Sequence, residues 1–444
     1  MDLSVEEIVR AVQGRLSDGG HPVLGVTTDT RRLREGDLFF ALRGKNFDGH
    51  HFIPEAIGKG ASYVVSEKPT PFPERTIYVQ DTLYALGELA RYYRGKFELD
   101  VVGITGSNGK TTTKEMAYGI LSSKAPTHKS PSSYNNLVGV PLAVLDLKTN
   151  HRFAVLELGM NRMGEINREC QIVRPNLGVL TNIAPAHIGF FKSMKNIVKA
   201  KAELLKCLKR DDFVFLNGDD QRVVCLREFT RAKVYTFSIR NPSDYRAARV
   251  KLFKNRLQFR LRGRDFTIQT LGVENVYNAL AAIGVGEILG VSMEQMQEVL
   301  GEFRLPHLRA TLQSRGGVTI INDSYNSNPA SLRGALKWLV LADGTRKIAV
   351  LGDMLELGQH GKKYHLQLGR VAKSYCDLLI GVGELARYYK EGMRTENAYY
   401  FTSKEEALHF LRDLVKPGDT LLIKGSRLMQ MEEIADALLA SVSS

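Results

Sequence analysis

Residues 106–112, Gly-Ser-Asn-Gly-Lys-Thr-Thr, have the composition and spacing of a phosphate-binding loop. Such a loop turns successive backbone N–H groups towards phosphate oxygens at the positive end of a helix dipole. Lys110 would reach the terminal phosphates, and the Thr111 hydroxyl would ligate Mg²⁺. The strict pattern requires glycine where this chain has Ile104, so a glycine turn that only starts a helix is the alternative. The segment predicts binding of a nucleoside triphosphate, taken here as ATP with Mg²⁺.

Two further side chains follow strands that would end at the same edge of a parallel sheet. Glu157 closes the apolar run 153–156, and His187 follows a strand predicted at 177–181. Ligands of α/β sheets bind beyond the carboxyl ends of the strands, and Mg²⁺ needs only one or two protein carboxylates. We therefore expect Glu157 to hold a metal ion beside the phosphates. Considered alone, Glu157 could face solvent and His187 could be a structural hydrogen-bonding residue.

A lysine lies on the apolar face of the helix predicted at 196–208. Lys201 is four residues from both Ile197 and Leu205, which places it on the inward stripe. A buried ammonium needs a partner, because an unpaired buried charge is costly. The alternative is that the side chain extends past the stripe into water.

The elements that would position these residues form three regions of an α/β protein, at residues 1–98, 99–308 and 309–444. In the first region we predict strands at 23–26, 38–42, 63–66 and 77–79 and a helix at 83–93. The second has buried strands at 101–105, 154–158 and 177–181, a helix at 111–122, and an antiparallel ribbon at 250–261. The third alternates strands and helices in a doubly wound, Rossmann-like pattern, with its last helix at 429–439.

Composition narrows the classes of protein that this chain can represent. With 444 residues, 43% of them apolar and 25% charged, it has the composition of a globular protein of several domains. It has no apolar stretch of membrane-spanning length, its acidic N-terminus lacks a signal-peptide pattern, and its four cysteines are scattered. We expect a cytoplasmic location. The net charge of +13 raises nucleic acid as a partner, but the basic residues are spread along the chain and suit small polyanions equally well.

The segment 105–115 resembles the ATP loop of the Mur ligases, which build the peptidoglycan peptide. Segments at 133–141, 157–161, 181–187 and 200–203 agree, and so do 323–329, 351–358 and 424–427 in the third region. The last three resemble the branch of the family whose substrates are UDP-MurNAc-tripeptide and D-alanyl-D-alanine. The resemblance covers essentially the whole chain, and it implies a UDP-sugar-binding N-terminal domain, a central P-loop ATPase domain and a monomer.

The resemblance also implies a chemistry. ATP would phosphorylate the terminal carboxylate of the UDP-MurNAc-tripeptide, and the amine of D-alanyl-D-alanine would attack the acyl phosphate. The products would be the amide (UDP-MurNAc-pentapeptide), ADP and phosphate. Two anions must be held together for this reaction, which calls for metal ions and cations rather than a covalent nucleophile.

The resemblance also implies roles for individual residues, from their positions in the matched segments. His187 matches a residue associated with a second Mg²⁺, and Lys201 matches a lysine that is carbamylated and can then help to hold metal, beside Thr111 and Glu157. The matched nucleotide positions are Gly106, Ser107, Asn108, Gly109, Lys110, Thr111, Thr112, Asn275, Asn278, Arg309 and Asp323. The matched substrate positions are Asp29, Thr30, Arg31, Asp48, Gly49, Tyr134, Asn135, Asn136, Tyr325, Asn326, Asn328 and Arg427. The chain departs from its relatives at Glu274, where they often have histidine, and at 305–308 before Arg309.

Two other hypotheses remain beside this one. A ligase that adds a different amino acid, or a polyglutamate ligase, would share the fold, although the sequence at 325–329 argues against it. A nucleic-acid-directed ATPase would instead release phosphate when DNA or RNA is added, without a peptide substrate.

Overall fold

The computed structural model describes residues 3–17, 19–44, 47–131 and 134–441. Met1 and Asp2 of the acidic N-terminus and Ser133 of the segment 133–141 lie outside these residues. The sheets confirm an α/β fold with three regions, each built on its own parallel or mostly parallel sheet. In the described part of the chain, no helix is long and apolar enough to cross a membrane. The four cysteines are free thiols.

The N-terminal region is a four-stranded parallel sheet in the order β1-β2-β3-β4. Its strands are β1 Gly25–Thr27, β2 Asp37–Phe40, β3 Tyr63–Ser66 and β4 Thr76–Tyr78. Its helices are α1 Val5–Ala11, α2 Ile53–Gly58 and α3 Thr82–Arg94, with 3-10 turns at Gly49–Phe52 and Pro73–Arg75. All residues of β2 and β3 are buried, as expected for strands covered on both faces. The predicted strands and helix are confirmed to within a few residues.

The central region is a seven-stranded, all-parallel sheet in the order β11-β10-β9-β8-β5-β7-β6. Its strands are β5 Asp100–Thr105, β6 Thr127–Lys129, β7 Phe153–Glu157, β8 Leu177–Leu180, β9 Phe213–Asn217, β10 Lys233–Ser238 and β11 Tyr245–Arg246. Its helices are α4 Lys110–Ser122, α5 Gly139–Leu145, α6 Glu165–Val173, α7 Ile188–Phe191, α8 Met194–Cys207, α9 Gln221–Val224, α10 Glu274–Ile288 and α11 Met293–Glu302, with a 3-10 turn at Cys225–Phe229. From β5 the chain runs to β6 at one edge of the sheet, comes back to β7 beside β5, and then crosses to β8 on the other side of β5. The carboxyl end of β5 is therefore a switch point, where ligands bind.

An antiparallel sheet is attached to the central region. It consists of β12 Ala248–Leu252, β13 Leu257–Leu261 and β14 Arg264–Ile268. The predicted ribbon at 250–261 is confirmed, and the third strand extends it. The buried residues of β13 alternate with partly exposed ones, which is the period-two pattern that made the ribbon recognisable.

The C-terminal region is a six-stranded sheet in the order β15-β16-β20-β17-β18-β19, parallel except for β15. Its strands are β15 Thr311–Arg315, β16 Val318–Asn322, β17 Arg346–Gly352, β18 Leu378–Val382, β19 Ala398–Phe401 and β20 Asp419–Lys424. Its helices are α12 Pro329–Leu341, α13 Gly361–Ala372, α14 Arg387–Met393, α15 Lys404–Leu414 and α16 Glu432–Ser441, with 3-10 turns at Leu355–His360 and Arg427–Met429.

Three details of this region differ from the prediction, the first being helix α14 Arg387–Met393, which was not predicted. The last helix begins at Glu432 rather than at 429, because Gln430 has a left-handed backbone that ends the preceding 3-10 turn. The edge strand β15 was not predicted, since four of its five residues are exposed and it has no apolar pattern to detect.

Candidate active site

One cavity of about 740 Å³ lies between the carboxyl ends of the central strands and the C-terminal region. Most of the predicted site residues line it. These are residues 106–112, Asn135, Asn136, Glu157, His187, Lys201, Asn275, Asn278, Arg309, Asp323, Tyr325, Asn326, Asn328 and Arg427. The tertiary structure therefore brings together residues that are more than 300 positions apart in the sequence.

The phosphate loop is held by its glycines and by the segment that follows β8. Gly106 and Gly109 have φ angles of +152° and +83°, and a Cβ on them would collide with Thr181 and Asn278. The Ser107 amide donates to the Asn182 carbonyl at 2.9 Å, and the Asn108 amide donates to Asn182 Oδ1 at 3.0 Å. The loop is thus fixed before any ligand binds.

The backbone N–H groups of the loop that are left for a ligand are those at the N-terminus of helix α4. In the described part of the chain, the N–H groups of residues 109–112 donate to no protein acceptor, and α4 has no side-chain N-cap. Unsatisfied N–H groups at a helix N-terminus attract anions. The missing glycine at position 104 does not prevent this arrangement, because Ile104 is a fully buried residue inside strand β5, before the loop begins.

Two cations stand at the loop. Lys110 Nζ donates to the Gly106 carbonyl at 3.0 Å. Burial lowers the pKa of the Lys110 ammonium, and the Glu157 carboxylate opposes this only in part. Arg309 donates to the Thr111 hydroxyl at 2.7 Å, and its guanidinium lies 4.0 Å from the ring centre of Tyr325. Among the described residues no carboxylate forms an ion pair with Lys110 or Arg309, so the loop presents positive charge to the cavity.

Glu157 is a buried carboxylate at the end of β7, and its neighbours include a lysine that the sequence did not reveal. Its side chain is 2% exposed, and Asn135 donates to Oε2 at 3.3 Å. Lys114 Nζ is 3.4 Å from Oε1, 3.0 Å from Glu115 Oε1 and 2.8 Å from the Ser130 carbonyl that accepts from it. Lys114 lies four residues after Lys110 on α4, a spacing that could have indicated its inward direction.

Glu157 Oε1 accepts no hydrogen bond although it is buried. This carboxylate oxygen and the Thr111 hydroxyl line the same cavity, and oxygen ligands of this kind suit Mg²⁺, which keeps several waters. Within residues 3–17, 19–44, 47–131 and 134–441, no cluster of three or more His, Cys, Asp or Glu could hold a metal ion. The residues present thus fit a metal bound jointly by protein and phosphate rather than a closed protein site.

Lys201 faces inward from α8, as its spacing predicted, and it is 3% exposed. Burial lowers the pKa of its ammonium far below the ordinary value, and Lys110 lowers it further. Glu169 on α6 is the nearby carboxyl that partly opposes this; burial raises the pKa of Glu169, whose two oxygens accept no hydrogen bond. The sequence did not single out Glu169. A lowered pKa increases the neutral fraction of a lysine, and the neutral amine is the nucleophilic form.

His187 connects the central region to the C-terminal one. It precedes α7 with a left-handed backbone, and its Nδ1 lies 2.9 Å from Glu356 Oε2. Close by, a Cβ on Gly189 would stand 2.7 Å from the Gly358 amide nitrogen. His187 lines the same cavity as Glu157, but its partner in this structure is a carboxylate of the other region.

The C-terminal wall of the cavity consists of charges that are paired with each other. Lys424, 2% exposed, donates to Asp323 Oδ2 at 2.5 Å and to the Asn326 carbonyl at 2.8 Å. Arg427 pairs with Glu432. Lys424 is a cavity residue that the sequence did not single out, although it lies in the segment 424–427.

Asn328 links the C-terminal wall of the cavity to the phosphate loop. Its side chain caps α12 by accepting from the Ala330 and Ser331 amides, at 3.1 and 3.0 Å. Its Nδ2 donates to Asn108 Oδ1 at 2.6 Å. One residue therefore begins a C-terminal helix and contacts the central loop.

The start of helix α10 forms the end of the cavity beyond the loop. Asn275 donates to the Leu271 carbonyl at 2.6 Å, and Asn278 donates to Asn275 Oδ1 at 2.9 Å while accepting from Thr113 at 3.2 Å. Both amides are thus occupied in fixing α10 against α4. Glu274 also lines the cavity, and burial raises the pKa of its carboxyl to about 7.

The predicted substrate residues of the N-terminal region do not line this cavity, and neither does Tyr134. Asp29 forms a two-pronged ion pair with Arg31 at 2.8 and 2.9 Å, which lowers the pKa of Asp29 to about 2. Asp48 caps the turn that begins at Gly49 and binds Lys68 at 2.8 Å.

The two remaining members of this set contact neighbouring side chains. The Thr30 carbonyl accepts from Lys59 at 3.1 Å. The Tyr134 hydroxyl accepts from Arg32 at 3.2 Å, which links the N-terminal region to the central one.

Comparison with known proteins shows the family to which this chain belongs. Three family models match consecutive parts of the chain: the Mur ligase family catalytic domain at 22–94, the Mur ligase middle domain at 104–286, and the Mur ligase glutamate ligase domain at 309–427. A relative from Bacillus subtilis is 34% identical, with 99% of this chain and 98% of the relative covered. The chain therefore belongs to the Mur ligase family.

Within that family, one relative and two solved structures at 28–34% identity show the kind of ligase that this chain resembles. The Bacillus subtilis relative is a UDP-N-acetylmuramoyl-tripeptide–D-alanyl-D-alanine ligase. The crystal structure of MurF from Acinetobacter baumannii matches with a TM-score of 0.93 at 32% identity, covering 98% of each chain. MurF from Thermotoga maritima in complex with ADP matches with a TM-score of 0.84 at 28% identity, covering 94% of this chain and 97% of that one.

Proposed function

We propose that this chain is an ATP-dependent ligase that joins D-alanyl-D-alanine to UDP-N-acetylmuramoyl-tripeptide, giving UDP-N-acetylmuramoyl-pentapeptide, ADP and phosphate. The observation that carries this proposal is the single cavity in which a loop with unsatisfied N–H donors faces a polar wall from another region. Its support is the similarity over nearly the whole chain to a UDP-N-acetylmuramoyl-tripeptide–D-alanyl-D-alanine ligase. The reaction belongs to cytoplasmic synthesis of the cell-wall precursor, and so bears on cell shape and division.

The reaction proceeds in two steps. The terminal carboxylate of the tripeptide attacks the γ-phosphorus of ATP, ADP leaves, and an acyl phosphate forms. The amine of D-alanyl-D-alanine then attacks the acyl carbon, loses a proton and expels phosphate. Both steps gather negative charge, so the protein contributes mainly oriented donors and cations.

These groups come from the side of the cavity that the central region forms around residues 106–112, which we call the phosphate wall and which includes Glu157, His187, Lys201 and Arg309. The amides of 109–112 and the Lys110 ammonium hold the phosphates, and Arg309 lies beside them. Bound Mg²⁺ would neutralise phosphate charge, with Glu157 and Thr111 as holders of one ion and with His187 and a carbamylated Lys201 at a second. Carbamylation replaces an ammonium by an oxygen anion, and a lysine whose pKa is lowered by burial is suited to that change.

The other residues divide between the substrates. Tyr325, Asn326, Asn328 and Arg427 face the peptide substrates from the C-terminal wall, and Asn135 and Asn136 do so from the central region. The N-terminal set, with Asp29 and Asp48, binds the UDP-sugar part. We further propose that the chain acts as a monomer, with domain boundaries near 98 and 308.

The deciding experiment is a substrate-omission assay. We expect phosphate release from ATP only when both UDP-N-acetylmuramoyl-tripeptide and D-alanyl-D-alanine are present, with amide product in equal amount by mass spectrometry. Full ATP turnover with either substrate omitted would refute the proposal. Stimulation by DNA or RNA alone would favour the nucleic-acid-directed ATPase, and product formed with a different amino acid or dipeptide would indicate another ligase.

A further inference from the structure

The turn between β12 and β13 combines exposed apolar side chains with exposed cations. Residues 251–256, Lys-Leu-Phe-Lys-Asn-Arg, are all exposed, and we call them the hairpin tip. The Phe253 amide donates to the Arg256 carbonyl at 2.8 Å and closes the turn. Leu252 and Phe253 are each 39% exposed, and the Arg256 guanidinium lies 5.0 Å from the ring centre of Phe253. The two apolar side chains therefore reach solvent with a cation beside them.

The hairpin tip adjoins a second exposed apolar site, at the end of α12 in the C-terminal region. Lys254 Nζ lies 2.6 Å from Asp343 Oδ1, and both side chains are largely exposed. Shortly before Asp343, Val340 and Leu341 are 51% and 38% exposed. Singly exposed apolar residues are ordinary, but adjoining ones mark a surface that binds something. The salt bridge thus brings the two apolar sites together in one surface.

This surface carries an excess of positive charge. Arg333 and Lys337 are exposed on α12, within about two turns of Val340 and Leu341. Residues 251–256, 333, 337 and 340–343 form what we call the docking patch. They include five cations, and Asp343 is the one carboxylate of the set. None of these described residues lines the cavity, so the patch is separate from the candidate active site.

We propose that the docking patch binds the surface of an anionic phospholipid bilayer. At such a surface, apolar side chains enter the boundary between headgroups and acyl chains, while Lys and Arg side chains attract anionic lipids. Leu252 and Phe253 supply the apolar part at a protruding turn, with the cations around them. A single-stranded nucleic acid fits less well, because its bases stack on aromatic side chains and three of the four exposed apolar residues are aliphatic.

The first test removes the exposed ring with Phe253→Ser. The wild-type chain should co-sediment with vesicles that contain phosphatidylglycerol but not with pure phosphatidylcholine vesicles, and added salt should weaken the binding. Phe253→Ser should weaken it on the order of 10-fold, since less apolar surface leaves water at the bilayer. Phe229→Ser is the matched control, because Phe229 is 50% exposed and has Lys206 Nζ 5.6 Å from its ring centre, outside the docking patch.

The second test removes two charges, with Lys251→Gln and Lys337→Gln in one chain. Binding to phosphatidylglycerol vesicles should weaken on the order of 25-fold, from roughly 5-fold for each cation at an anionic surface. The control, Lys199→Gln with Lys209→Gln, lowers the net charge equally at two exposed lysines elsewhere. It should leave binding nearly unchanged, because the contribution of a cation is confined to about a Debye length from the lipid.

Three results would overturn the inference. The first is a wild-type chain that does not bind phosphatidylglycerol vesicles, and the second is equal weakening in the patch variants and in their controls. The third is binding of RNA without binding of vesicles, reduced by the double substitution at Lys251 and Lys337, which would assign the patch to nucleic acid. Sedimentation needs no nucleotide and no peptide substrate, so failure of the proposed function would leave this inference standing. Equal urea midpoints for Phe253→Ser and the wild-type chain would confirm that the weaker binding is not a loss of folding.

Discussion

The two walls of the cavity carry their charges in different ways. On the phosphate wall, Lys110 has only a backbone carbonyl as a hydrogen-bond partner, and Lys201 has no hydrogen bond or ion pair within the described residues. On the C-terminal wall, Lys424 is held by Asp323 and Arg427 by Glu432. One wall keeps basic side chains without a carboxylate partner, and the other pairs its ions internally.

This difference indicates that the phosphate wall serves to bind ligands and that the C-terminal wall serves to stabilise the fold. A buried cation without a counter-ion costs stability, so its retention is understandable where an anion is to be bound. A buried ion pair fixes a geometry, and breaking it leaves a bare charge. We therefore expect substitutions on the phosphate wall to reduce activity while sparing stability, and substitutions on the C-terminal wall to reduce stability first.

The largest expected effect is that of Lys110→Met. Removing a cation that meets the transferred phosphoryl group should lower kcat on the order of 10³-fold. The free energy of unfolding should stay the same or increase, because a desolvated charge is removed. Steady-state kinetics and a urea titration measure the two quantities, with Lys148→Met, an exposed lysine of the same region, as the control. A loss of stability in Lys110→Met would show that the lysine is structural.

The converse is expected of Lys424→Met. Asp323 is then a buried carboxylate without its partner, which should lower the free energy of unfolding by about 3 kcal/mol. The double substitution Lys424→Met with Asp323→Asn should recover part of that loss, since it removes both charges. Chemical denaturation of both variants and of Lys416→Met, an exposed control, provides the comparison. If Asp323→Asn alone is measured as well and the effects of the two single substitutions prove additive, the walls would not differ in the way described.

The smallest of the three effects is that of Lys201→Ala. We expect activity to fall on the order of 10²-fold, as for a residue that organises metal rather than contacting the transferred group. A small carboxylic acid such as acetate should restore part of the activity by supplying an oxygen anion in the space left. Lys199→Ala, exposed on the same helix, should be unaffected with or without acetate. Undiminished activity in Lys201→Ala would remove Lys201 from the site.

The sequence predicted the phosphate wall better than the C-terminal one, for a physical reason. Glycine loops, strand ends and helical spacing are local signals, and the residues that they singled out, 106–112, Glu157 and Lys201, line the cavity. Lys424 and Glu169 lack such a signal, because their partners lie on other strands and helices. Asn328 resembled a substrate residue, and only the packing of α12 against the loop revealed its contact with Asn108.

The N-terminal region shows what short sequence motifs cannot predict. Asp29 and Asp48 have the types and the turn positions of ligand-binding residues, yet in this structure they pair with Arg31 and Lys68 and lie outside the cavity. A motif specifies which groups are present, but their availability depends on neighbours that the motif does not contain.

The sequence alone determined the α/β class, the three regions, the nucleotide loop and the family resemblance, because each depends on periodicities and spacings within short segments. The tertiary structure decided which charges are paired, that Lys114 accompanies Glu157, and that Glu274 lines the cavity. Those properties depend on distances between residues far apart in the chain, and burial makes the distances matter, since a missing partner is costly only where water cannot replace it.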